Sequence, residues 1–109
     1  MKLAILGAAY ALQEASEKDD PALKGLDGYC DPSSRKCVIE SFVDVDTQTM
    51  EDMARHKRKV MRHELIHAFL AESGLRECSD WAVNEEMVDW FAIQFPKMVA
   101  AFRECGCMD

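Results

Sequence analysis

The chain has 109 residues, 49% of them apolar, with a formal net charge of −7. That length supports one modest core and no second domain, so residues 1–109 read as a single domain. The acidic balance argues against a nucleic-acid backbone as partner, and no apolar run is long enough to span a bilayer.

Met1-Lys2, the apolar run Leu3 to Leu12 and Ala9-Tyr10-Ala11 within it have the outline of a weak signal peptide. Gly7 and Tyr10 break that run as a hydrophobic helix and only one basic residue precedes it, so Leu3 to Ala15 reads instead as two short strands or a hairpin. Glu17 through Gly25, charged and holding Pro21, reads as a loop. Tyr29-Cys30-Asp31, a Pro32-Ser33-Ser34 turn and Cys37 to Val43 read as a second hairpin. Val38 to Val43 alternates with polar residues and is expected to edge the functional cleft.

From Thr47 to Ser73 there is no Gly or Pro. Asp46 or Thr47 can serve as N-cap, with Glu51 and Asp52 in the first turns, and Gly74 follows as a stop. This predicted helix carries His63-Glu64-Leu65-Ile66-His67, the H-E-x-x-H pattern. Positions four apart sit roughly 40° apart around a helix, so both imidazoles leave one face and can grip a single ion. Glu64, about 100° round, suits a carboxylate that reaches water beside the ion rather than the ion itself. Leu65, Ile66 and Phe69 fall at roughly 200° to 300° and can pack into a core while the histidines stand at its edge. His56 lies on the histidine side two turns earlier and reads as a surface histidine. Arg55, Lys57, Arg58, Lys59 and Arg62 spread around the circumference as a solvated face.

A catalytic zinc site takes three protein ligands and keeps a position for water. No histidine follows His67, so the third ligand is a cysteine, Cys78 being nearest, or a carboxylate on the helix opening at Asn84. On that helix Asn84, Met87, Val88, Phe91, Ala92 and Phe95 form an apolar stripe that Trp81 extends backwards. Glu85 lies at the edge of the stripe and Glu86 points away, which favours Glu85. Asp89, one turn on, is placed to accept a hydrogen bond from the second nitrogen of a ligating histidine.

These motifs carry a resemblance. H-E-x-x-H followed by E-x-x-x-D resembles the gluzincin arrangement, and Glu85-Glu86-Met87-Val88-Asp89-Trp90-Phe91-Ala92 is similar to the E-x-x-A-[ND]-x-F-A stretch of the ImmA/IrrE-type metallopeptidase domain. The chain also resembles small phage and prophage proteins of zinc-metallopeptidase type through Ile5-Leu6-Gly7, Leu26 to Asp31, His63 through Leu75 and Asn84 through Lys97. The resemblance implies a minimal zincin-like α+β domain: N-terminal β-hairpins or a small sheet, then a long active-site helix and a second, ligand-bearing helix. It implies zinc held by His63, His67 and Glu85, with Glu64 as catalytic base, in a metallopeptidase that hydrolyses peptide or protein in the cytoplasm of a bacterial host. It further implies that the strand at the cleft edge holds extended substrate backbone. The helix-turn-helix-like extension of the ImmA/IrrE type has no counterpart here, so repressor cleavage is not carried over. The competing expectation is a non-catalytic, zinc-stabilised binding or assembly factor whose closed site recruits a fourth ligand such as Cys78.

Cys30, Cys37, Cys78, Cys105 and Cys107 make an odd count, which favours free thiols. Cys30 and Cys37 can face each other across the second hairpin, where a disulfide is geometrically possible but a reducing cytoplasm opposes it. Tyr10 and Tyr29 are the only tyrosines, and sequence alone places neither as an oxyanion donor.

Overall fold

Apolar and small residues at the start of the chain build a hairpin in a computed structural model that describes residues 1–42 and 52–109. Strand β1 (Lys2–Ile5) pairs antiparallel with β2 (Ala8–Ala15). The two-residue loop between them takes positive φ at both positions, 49° at Leu6 and 86° at Gly7, as a type I′ turn requires. A second hairpin joins β3 (Gly28–Asp31) to β4 (Lys36–Glu40). Asp31 holds its turn by accepting from Ser33 N at 3.0 Å and Ser34 Oγ at 2.7 Å. The expected loop from Glu17 to Gly25 contains one 3-10 turn, Pro21–Leu23, capped by Asp20.

The hairpins join through a parallel pairing of β2 with β4, giving a mixed sheet in the order β1-β2-β4-β3. This corrects the expectation for Val38 to Val43. Strand β4 lies inside the sheet, not at the cleft edge, and Cys37, Val38, Ile39 and Glu40 are all buried. A strand paired on both sides and covered on both faces need not alternate. The edge belongs to β3, and Val43 lies outside the described residues.

Helix α1 (Met53–Glu72) lies across one face of the sheet, packing Val60 and Ala68 with Ile5, Tyr10, Leu12, Cys37 and Ile39. Its N-cap is Asp52, which accepts from Arg55 N at 2.9 Å, so Asp52 precedes the first turn and does not sit within it. Asp46, Thr47 and Glu51 lie outside the described residues. The helix stops where the sequence indicates, with Gly74 in the left-handed region at φ 84°. A short helix α2 (Leu75–Cys78) and a 3-10 turn (Asp80–Val83) lead into α3 (Glu85–Glu104). Asn84 is the N-cap of α3, accepting from Met87 N at 2.7 Å, and so leaves the apolar stripe; Trp81 sits half exposed on the 3-10 turn. Leu70, Ala82 and Val88 form the apolar contact between α1 and α3. No helix among the described residues is long and apolar enough to cross a membrane.

The basic run of α1 does more than face solvent. Lys57 reaches Glu14 on β2 at 2.7 Å, Lys59 reaches Asp89 on α3 at 3.2 Å, and His56 bonds Asp27 at 2.8 Å with its ring edge-on to Phe42. Arg62 makes a different contact. Pro96 lacks an N–H, which frees the carbonyl of Ala92 one turn earlier, and Arg62 Nε donates to that oxygen at 2.6 Å. A defect in α3 thus becomes the acceptor that fixes it to α1. At the far end of α1, Glu72 accepts from the Tyr10 hydroxyl at 2.9 Å and Arg35 Nε at 3.0 Å, tying the helix to β2 and to the turn before β4.

Gly28 sets how closely β3 approaches α1. A Cβ there would lie 2.9 Å from the Val38 carbonyl oxygen, 3.0 Å from Val60 Cγ1 and 3.2 Å from Glu64 Cγ. The nearest of these is backbone and cannot swing aside. Gly28→Ala is therefore expected to lower stability by about 1–3 kcal/mol through overpacking, read as a lower urea midpoint. An unchanged midpoint would mean that strand and helix do not meet this closely.

Candidate metal centre

Two helices build the site. His63 and His67 stand one turn apart on α1, and Glu85 comes from the first turn of α3. His63 Nε2 is 3.0 Å from Glu85 Oε2, His67 Nε2 is 3.1 Å from Glu85 Oε1, and the two Nε2 atoms are 3.2 Å apart. One donor atom from each residue lies within 4.8 Å of the others, so the group can hold a metal ion. Neighbouring ligand atoms around a tetrahedral zinc with bonds of about 2.0–2.1 Å are separated by roughly 3.3 Å, close to these distances.

Asp89, one turn beyond Glu85, faces the other nitrogen of His63, with Oδ1 3.2 Å from Nδ1. A proton on Nδ1 donated to Asp89 leaves Nε2 as a lone pair, the form that ligates. That lone pair then confronts the Glu85 carboxylate, and two acceptors at 3.0 Å need a cation between or upon them. Lys59 holds the same Asp89 oxygen at 3.2 Å. These hydrogen bonds outweigh partial burial and keep the Asp89 carboxyl below its ordinary pKa. His67 also sits below its ordinary pKa: burial is the largest cause, and the charge of Arg76 adds to it against the pull of Glu85. A readily neutral imidazole is the state a metal takes up.

Glu64 is not in the donor group. The residue is 7% exposed and lies on the wall of a cavity of about 340 Å³ that His63, His67 and Glu85 also line. Burial pushes its pKa up to about 7, with the charge of Glu85 adding to the rise. A carboxylate poised there can accept a proton at neutral pH and return it.

The structure brings His63, His67, Glu85, Glu64 and Asp89 into one place, and it leaves others out. Glu86 is exposed and outside the donor group. Cys78 is exposed, with its Sγ directed at the Gly74 carbonyl at 3.3 Å, and supplies no ligand. His56 is committed to Asp27. Both phenols are committed elsewhere, Tyr10 to Glu72 and Tyr29 to Asp20 at 2.6 Å; burial foremost, with that hydrogen bond, pushes Tyr29 up to about 12. Cys30 and Cys37 are paired across β3 and β4 as free thiols, and Cys37 Sγ lies 3.5 Å from the Glu64 carbonyl.

Two contributors escaped the sequence reading. Gly28 admits β3 to the cavity wall, and a lone glycine opening a strand signals such an approach. Arg76 on α2 lines the cavity with no periodicity or motif to announce it. Comparison of the chain with protein-family models, with curated proteins and with solved structures finds no match in any of the three.

The raised Glu64 pKa has a consequence for stability. Between its ordinary 4.5 and about 7, the folded chain keeps a proton that the unfolded chain has released. Glu64 therefore lowers stability as pH rises through that window, and by a constant amount above it. His67 acts oppositely below its ordinary 6.5, so the parent must be compared with Glu64→Gln at each pH. In metal-free protein the two urea midpoints should nearly coincide at about pH 4 and diverge up to about pH 7, with the variant more stable. Curves that stay parallel across this range would mean that Glu64 titrates as an ordinary carboxyl.

Proposed function

We propose that this protein is a zinc-dependent metallopeptidase of gluzincin type, a minimal zincin-like domain akin to the ImmA/IrrE-type metallopeptidases. The observation that carries the reading is the convergence of His63 Nε2, His67 Nε2 and Glu85 within 3.0–3.2 Å, with Asp89 directing the His63 tautomer. Two imidazoles and one carboxylate are a donor set suited to zinc, and three protein ligands leave a further coordination position open. When bound, zinc supplies Lewis acidity: it lowers the pKa of water towards about 7 and polarises a carbonyl.

The protein's own groups do the rest. Glu64 accepts the proton of the attacking water and delivers it to the departing amine. Asp89 keeps His63 oriented through its Nδ1 contact, and Lys59 keeps Asp89 in place. Strand β3 lies at the sheet edge, and Gly28, Tyr29 and Cys30 line the cavity. An extended peptide can add to such an edge through main-chain hydrogen bonds, which supports peptide or protein as substrate. That role passes to β3 from the segment Val38 to Val43.

A closed, purely structural zinc would need a fourth protein ligand; Cys78 is turned to the Gly74 carbonyl, and among the described residues no cysteine joins the donor group of His63, His67 and Glu85. The catalytic reading is tested with Glu64→Gln. The variant should retain a single zinc per chain while its hydrolysis of a mixed peptide library falls by about 10²–10⁴-fold. Activity surviving the substitution would remove Glu64 from proton transfer.

A further inference from the structure

The cavity beside the donor group is unevenly charged. Glu64 and Glu85 contribute carboxylates, and Arg76 is the one lysine or arginine among the described residues that line it. The cations of α1 and of the turn before β4 that reach the neighbouring elements are engaged: Arg35 with Glu72, Lys57 with Glu14, Lys59 with Asp89, and Arg62 with the Ala92 carbonyl. The remaining lysines and arginines do not line this cavity. Among the described residues Arg76 has no carboxylate within 4.0 Å. It is nonetheless well placed. Gly74 at φ 84° turns the chain sharply out of α1, and α2 then carries Arg76 back along the cavity wall. A guanidinium left unpaired in a cleft offers a planar fork of donors that matches a carboxylate.

Cavity size limits where that carboxylate sits in a ligand. A volume of about 340 Å³ corresponds to a space roughly 9 Å across, which two or three residues of extended chain fill. A group at Arg76 and a carbonyl at the His63–His67–Glu85 cluster therefore belong to the same short segment. We infer that Arg76 is a specificity-determining residue that binds a substrate carboxylate one or two residues from the scissile bond, selecting peptides that carry an acid there. The inference rests on the peptidase reading. Two sources share this chemistry, the free end of a chain and an acidic side chain, and the Arg76 fork suits either.

The experiment uses zinc-loaded protein and calorimetric titration with three hydroxamate-headed dipeptides: one with a free C-terminal carboxylate, one ending in carboxamide, and one ending in carboxamide with a glutamyl side chain. At least one carboxylate probe should bind about ten- to a hundredfold more tightly than the plain carboxamide. Which of them does so identifies the source. In Arg76→Gln the advantage should vanish while affinity for the plain carboxamide stays put, and Arg76→Lys should restore it in part. Arg76 is exposed, so neither substitution threatens the core. Equal affinities for all three probes in the parent, or an advantage that survives Arg76→Gln, would overturn the role of Arg76 while leaving the peptidase reading standing. Failure of every hydroxamate to bind protein that retains zinc would overturn both.

Discussion

Glu85 reaches from one helix to a pair of imidazoles on another, and the rest of the molecule is arranged around that contact. It places acceptor against acceptor: the lone pair that Asp89 leaves on His63 meets a carboxylate oxygen at 3.0 Å. Without a positive charge the contact is repulsive, and with one it ties α1 to α3 at this end. Further links keep the helices in register whatever the charge. Leu70, Ala82 and Val88 pack between them, Lys59 spans to Asp89, and Arg62 takes the carbonyl released by Pro96. The donor group is therefore held by a scaffold that does not itself depend on a cation, the preorganisation that a metal-binding group requires.

The sheet also positions the site. Val60 and Ala68 bury against β1, β2 and β4, and the histidines stand on the adjoining flank of the helix, where Glu85 of α3 meets them. Gly28 then lets the edge strand close over Glu64. Burial raises the Glu64 pKa to about 7, and the close approach of β3 at Gly28 both shapes the cavity and adds to the cover over that carboxyl. The same strand presents an unpaired edge to whatever enters.

Local spacing showed which residues share a face but not which face is buried, since Phe69, expected in the core with Leu65 and Ile66, is 45% exposed while Val60 and Ala68 fill the core. Long-range encounters were not legible. Residues 63 and 67 face together because an α-helix repeats every 3.6 residues, and Gly74 stops that helix because it alone tolerates the left-handed turn at φ 84° at little cost. Helical phase likewise separated Glu85 from Glu86. Strand order carries no such local signal. Alternation in Val38 to Val43 suggested an edge strand, but the parallel pairing with β2 made β4 interior and left β3 outside. The ion pairs of Lys57 and Lys59 depend on how α1 crosses β2 and α3, which helical phase does not determine. Arg62 was visible only as a charge, and Pro96 only as a helix breaker, until they met.

The donor set at the metal decides among the readings of this protein. X-ray absorption at the zinc edge, on protein loaded with a single equivalent, counts those donors directly. The account predicts a first shell of nitrogen and oxygen only: two imidazoles, one carboxylate and a solvent oxygen. Sulfur in that shell, or a spectrum unchanged in Glu85→Gln, would contradict it.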